Sequence, residues 1–129
     1  MNNYFDHIAK ENILKGAKGA TLERIAKVEE KLKVKFAKDY VEFLMKVGAC
    51  IYNGHEIVGI CDYSDMCVEN LTLIERQLLK ESNQCLYAIE NTHIDGIIIW
   101  QNSEGQILQT APNAKQITIC NSLEEYIKM

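Results

Sequence analysis

The residues that could carry chemistry are few, and each admits a plain structural use. Glu29 falls on the apolar side of a helix-period stretch that also holds Leu22, Ile25, Val28 and Leu32. A carboxylate placed there is either a buried acid with a raised pKa, or an acceptor for a neighbouring helix terminus or for Tyr40; the acceptor role is expected. Asp39-Tyr40 reads as a first-turn carboxylate matched to a helix dipole beside a core aromatic. The three histidines, His7, His55 and His93, sit in three separate segments. His55-Glu56 beside Cys61, or His93-x-Asp95, has ligand residue types without ligand spacing, so no metal is expected. A Cys–His nucleophile needs the pair to meet with a third orienting group, and no spacing here selects a pair. Neither a Gly-x-Gly-x-x-Gly loop nor a Gly-Lys-Ser/Thr loop occurs, so no nucleotide or other cofactor is signalled. No catalytic residue is assigned, and the expectation is a protein without enzymatic activity.

The five cysteines, Cys50, Cys61, Cys67, Cys85 and Cys120, are odd in number and widely spaced, with no Cys-x-x-Cys. A secreted disulfide framework favours an even count. The N-terminus has no basic stretch followed by an apolar one, as a secretory signal would. Reduced, largely buried thiols in a cytoplasm are therefore expected.

Acidic residues offer a surface instead of a reaction centre. Residues 1–50 hold ten Lys and Arg against seven Asp and Glu, a net of +3, whereas residues 51–129 hold four against eleven, a net of −7. Asp62, Asp65, Glu69, Glu90, Asp95 and Glu104 fall in loops or at element ends, and with Tyr63 they form a candidate acidic face for a basic protein partner. Trp100, Tyr52, Tyr63 and Tyr87 are the aromatics able to anchor an interface; Trp100 is the one expected in the core, and Tyr63, between Asp62 and Ser64, the one expected outside. Clustered Lys and Arg are missing from the second half, which argues against nucleic acid.

These residues must be positioned by a chain of one domain, residues 1–129, 47% apolar with a net charge of −4. That is too apolar and too weakly charged for disorder. No apolar run reaches the length of a membrane span, and nothing signals an oligomeric state. The periodicity predicts helices over 3–15, from Thr21 as N-cap to Leu32, over 38–47 with Gly48 as a left-handed cap, and over 66–80. Strands are predicted over 55–60, 85–89, 96–101, 106–110 and 116–120, with the Asn102–Gly105 connection as a hairpin. The uninterrupted Ile97-Ile98-Ile99-Trp100 suits a strand covered on both faces. Ser122 with Glu125 makes a capping box for a last short helix. The fold class is α+β: N-terminal helices on one mostly antiparallel sheet, with a helical insertion and a short C-terminal helix.

Ile25, Glu29 and Leu32, then Phe36-Ala37-x-Asp39-Tyr40-x-x-Phe43-Leu44 and Gly48, together resemble the opening signature of the SUKH (Smi/Knr-type) superfamily. Glu56-Ile57-Val58-Gly59-Ile60 is similar to that family's first strand with its glycine, Thr72-x-x-x-Arg76 to a pattern of its middle helix, and Ser122-Leu123-Glu124-Glu125-Tyr126 to its closing helix. Ala37 departs from the pattern, standing where the family usually has proline, and Ala49-Cys50 replaces the usual turn after Gly48. The resemblance implies a non-enzymatic immunity protein that binds and neutralises a polymorphic or contact-dependent bacterial toxin, often a nuclease. Its other implication is a regulatory or adaptor domain, like the branch that includes a yeast regulator of cell-wall synthesis.

Overall fold

The computed structural model describes residues 3–79 and 85–129. Helix α1 (Asn3–Glu11) buries Phe5 and Ile8. It stops before residue 15 because the Asn12 side chain is committed elsewhere: its Oδ1 accepts from Leu14 N (3.0 Å) and Ile51 N (3.1 Å), and its Nδ2 donates to the Ala49 carbonyl (2.9 Å). An asparagine that serves two backbone segments this way competes with helix continuation. Helix α2 (Leu22–Leu32) starts as expected, with Arg24 N donating to Thr21 Oγ1 at 3.2 Å. Helix α3 (Lys38–Lys46) buries Tyr40, Phe43 and Leu44, and Gly48 follows it at φ 87° with its N–H on the Phe43 carbonyl.

Strands β1 (Cys50–Tyr52) and β2 (His55–Ile57) then form an antiparallel hairpin. Its turn residues, Asn53 and Gly54, have φ of 52° and 77°, the two positive values of a type I′ connection. Strand β1 was not expected; the Asn-Gly dipeptide is the signal for it. Strand β2 ends before residue 60 because Val58 turns to donate to the Ile89 carbonyl (2.9 Å) and Gly59 makes a parallel bridge to Cys67. A 3-10 turn at Ser64–Met66 leads into α4 (Val68–Arg76), shorter than the predicted 66–80, of which residue 80 lies outside the described residues.

The main sheet is β3 (Tyr87–Asn91), β4 (Ile98–Gln101), β5 (Ile107–Thr110) and β6 (Ile117–Cys120), antiparallel and in sequence order. Helix α5 (Leu123–Ile127) closes the chain, Ser122 Oγ accepting from Glu125 N at 3.1 Å. The architecture is the expected α+β, with the sheet divided in two: the β1–β2 hairpin is separate and joins the main sheet through the Val58–Ile89 hydrogen bond.

Tyr87, Ile89, Ile99 and Ile107 face the larger core, with Phe5, Ile25, Leu32, Tyr40, Phe43, Leu44, Leu123 and Ile127. Leu86, Ala88, Ile98, Trp100 and Leu108 form a second cluster with Leu71 and Leu79 of the α4 region. The Ile98–Trp100 run is thus covered on both sides. Gly48 and Gly59 let backbones meet without side chains between them: a Cβ on Gly59 would lie 1.6 Å from the Gly48 carbonyl oxygen, and one on Gly48 2.1 Å from that of Lys18.

Candidate binding surface

The motif carboxylates act as structural acceptors. Glu29 Oε2 accepts from Phe36 N at 2.8 Å, pinning the α2–α3 connection, while Tyr40 donates to the Val58 carbonyl at 2.7 Å instead of to Glu29. Asp39 is more than a first-turn charge. Its Oδ1 accepts from Gln101 Nε2 (3.0 Å) and its Oδ2 from Leu123 N (2.8 Å), so it caps α5 from α3. Gln101, fully buried, accepts in turn from the Tyr87 hydroxyl (2.7 Å), which itself accepts from Ala37 N (2.9 Å). Burial raises the Tyr87 pKa, so this hydroxyl stays a neutral donor. On the other face of the sheet, Thr72 Oγ1 accepts from Ala88 N (2.9 Å) and Arg76 Nη2 donates to the Leu86 carbonyl (3.2 Å), two rungs that fix α4 to β3.

Glu90 does not belong to an exposed face, and that expectation is corrected. It is 4% exposed. A bulge between Ala88 and Glu90 pairs Glu90 with Ile99, not Ile98. Cross-strand partners share a face, so the extra residue turns Glu90 away from the α4 side and onto the face of the larger core beside Ile99. There its carboxylate accepts from the Tyr126 hydroxyl, from His55 Nδ1 (3.0 Å) and from Glu56 N (2.6 Å). The Glu90 hydrogen bond raises the His55 pKa against the opposing effect of burial, and burial together with Glu90 raises that of Tyr126. The cluster resembles acid–base machinery, yet every polar atom is spent on tying β2, β3 and α5 together. His93 lies exposed, its Nε2 3.7 Å from Glu56 Oε2. Among the described residues, no group of three or more His, Cys, Asp or Glu is placed to hold a metal ion.

The other acidic candidates fall in separate places. Asp95 sits in the β3–β4 turn and Glu104 in the β4–β5 turn, at opposite ends of β4. Glu69, in the first turn of α4, pairs with Lys31 of α2 at 2.9 Å, so the basic front and acidic back meet there. Asp62, Tyr63 and Asp65 stay together and exposed, in a loop held on every side. Met66 anchors it in the core, Gly59 N donates to the Met66 carbonyl (2.9 Å), and Asn70 Nδ2 to that of Ser64 (2.9 Å). The Tyr63 hydroxyl donates to the Lys15 carbonyl, leaving the ring 41% exposed. Of the other aromatics, Trp100 is buried as expected, with Nε1 on Thr110 Oγ1 (2.8 Å), Tyr87 is buried, and Tyr52 packs edge-on against Tyr4.

The SUKH_6 family model, described as SMI1-KNR4 cell-wall, matches residues 22–127. The chain belongs to this family. The SUKH resemblance carried by Ile25, Glu29, Leu32, Asp39, Tyr40, Phe43, Leu44, Gly48 and Gly59 is thereby shown. In this SUKH_6 chain those residues are core positions, backbone crossings and half-buried acceptors. A crystal structure of a protein from Pseudomonas syringae pv. tomato is similar at a TM-score of 0.78 and 14% identity, over 98% of this chain and 96% of that one. That likeness concerns the fold. No curated protein matches the chain. Among the described residues, no helix is long and apolar enough to cross a membrane.

Proposed function

We propose that this SUKH_6 chain is a non-enzymatic immunity protein that binds a basic protein toxin domain in the cytoplasm and blocks it by occlusion. Family membership is the observation that carries the reading. The Asp62–Asp65 loop supports the choice of surface: two exposed carboxylates and a Tyr ring on backbone already fixed by Met66, Asn70 and Lys15 need little ordering on binding. Complementary charge on such a loop acts mainly on the association rate. Asp95 and Glu104, being at opposite ends of β4, contribute less. A second reading, an adaptor or regulatory domain without a toxin partner, is favoured by the cell-wall description of the family model.

The test is capture of the toxin encoded beside this gene, followed by association kinetics across a salt series. Asp62→Lys with Asp65→Lys is expected to slow association roughly tenfold or more at low salt, with the gap closing as salt rises. Asp95→Lys with Glu104→Lys is expected to change it less. Tight binding indifferent to salt and to all four reversals would sink the acidic-loop surface. A neighbouring locus without any toxin gene would favour the adaptor.

A further inference from the structure

Two of the five cysteines converge, and nothing in the proposed function uses them. Cys61 ends the segment that leaves β2, and Cys67 stands just before α4. The parallel bridge between Gly59 and Cys67, with Gly59 N on the Met66 carbonyl (2.9 Å) and Val68 N on the Gly59 carbonyl (2.8 Å), draws the two ends of the acidic loop side by side. Both thiols then point at one acceptor: Cys67 Sγ lies 3.2 Å and Cys61 Sγ 3.7 Å from the Tyr63 carbonyl oxygen. Cys67 Sγ also donates to the Cys61 carbonyl at 3.4 Å. Neither cysteine is fully buried. Both line a surface cleft of about 300 Å³ whose walls include Arg24, Lys27, Val28 and Glu69. Cys50 is buried, Cys85 stands exposed ahead of β3, and Cys120 lies in β6.

We infer that Cys61 and Cys67 form a thiol–disulfide pair that closes the Asp62–Met66 loop, oxidised by a small anionic disulfide of the glutathione type. Arg24 and Lys27 give the cleft cationic side chains for such a molecule's carboxylates, against the single carboxylate of Glu69. The exchange runs in two steps. One cysteine, losing its thiol proton, attacks a sulfur of oxidised glutathione; the glutathione disulfide bond breaks, a mixed disulfide forms, and one glutathione thiolate leaves and takes up the proton. The second cysteine, likewise deprotonated, attacks the protein sulfur of that mixed disulfide and expels the second glutathione. Two protein thiols have given up two electrons and two protons, and one glutathione disulfide has become two thiols. Burial raises the Cys67 pKa against the opposing hydrogen bond to the Cys61 carbonyl, so attack by Cys67 is slow at neutral pH and quickens toward alkaline pH.

The experiment is a redox titration of the purified chain in glutathione buffers of graded oxidised-to-reduced ratio, quenched by alkylation and read by intact mass. The result expected is a species lighter by two hydrogens that retains three alkylatable thiols of five. Cleavage before Asp62 or Asp65 separates the two cysteines, so the link is read directly as two joined peptides. Cys61→Ser and Cys67→Ser are each expected to abolish that species and to trap the mixed disulfide, and Cys85→Ser to leave it unchanged. If either serine variant fails to fold, the peptide map of the unaltered chain still decides. Five free thiols at a large excess of oxidised glutathione with the fold intact, or a link between any other pair, would overturn the inference. No toxin enters the experiment, so its outcome is independent of the proposed function.

Discussion

Replacing Glu90 tests whether the buried His55–Glu90–Tyr126 cluster is structural. Glu90→Ala leaves the Tyr126 hydroxyl, His55 Nδ1 and Glu56 N without their acceptor. A hydrogen bond to a charged group contributes roughly 1.5–3 kcal/mol, and stripping one partner from a buried pair costs roughly 3–5 kcal/mol. The His55 side chain keeps 15% exposure and the Tyr126 hydroxyl can rotate, so the low end applies, about 3 kcal/mol. With an unfolding entropy of about 2.1 cal/mol/K per residue, that lowers Tm by about 11 °C for a chain of 129 residues. Glu90→Gln keeps an acceptor and loses the charge, and is expected to cost about 1–2 kcal/mol.

The pH dependence separates the charge from the packing. The folded-state pKa of His55 is raised, first by Glu90 and also by the Met129 backbone oxygen. A raised value means that the pair's contribution is complete below the unfolded pKa of about 6.5 and is lost as pH rises through the folded value. Urea unfolding of the unaltered chain and of Glu90→Gln, from about pH 5.5 to about pH 9, should show the stability gap shrinking toward alkaline pH. A gap constant across that range, or a Glu90→Ala cost below about 1 kcal/mol, refutes the account.

Gly59→Ala drives a methyl to 1.6 Å from the Gly48 carbonyl oxygen, so a backbone must move. It is expected to lower stability by about 3 kcal/mol or more in thermal melts. Gly54→Ala meets nothing within 4 Å and carries only the strain of its positive φ, about 1–2 kcal/mol. Asp39→Ala removes the acceptor of both Leu123 N and Gln101 Nε2 and should cost about 2 kcal/mol. Hydrogen exchange should then show α5 losing protection ahead of α2.

Helices α2, α3 and α5 were legible because each carries its own signals: the apolar period of α2, the Thr21 and Ser122 caps, and the Gly48 stop. The β4–β5 hairpin was legible from its turn. Strand β1 was missed because three residues show no alternation, although Asn53-Gly54 announces the connection. What no local pattern could disclose was the direction Glu90 faces. That is set by one extra residue in β3, and a bulge leaves no mark on composition or period. The acidic surface was overdrawn for a related reason: net charge by halves says nothing about Glu69 meeting Lys31, or Asp95 and Glu104 parting to opposite ends of a strand.

Helix α5 is held by side chains made long before it. Asp39 meets Leu123 across 84 positions, Asn53 Nδ2 meets the Ile127 carbonyl across 74, and Glu90 meets Tyr126 across 36. Each is a contact that no local segment can form in advance, and closing such long loops carries an entropic cost before any reward. A chain emerging from the ribosome thus holds Asp39, Asn53 and Glu90 without their last partners until residue 127 has been added. The polar groups that specify the finished fold are, until then, the most exposed liability of the nascent one.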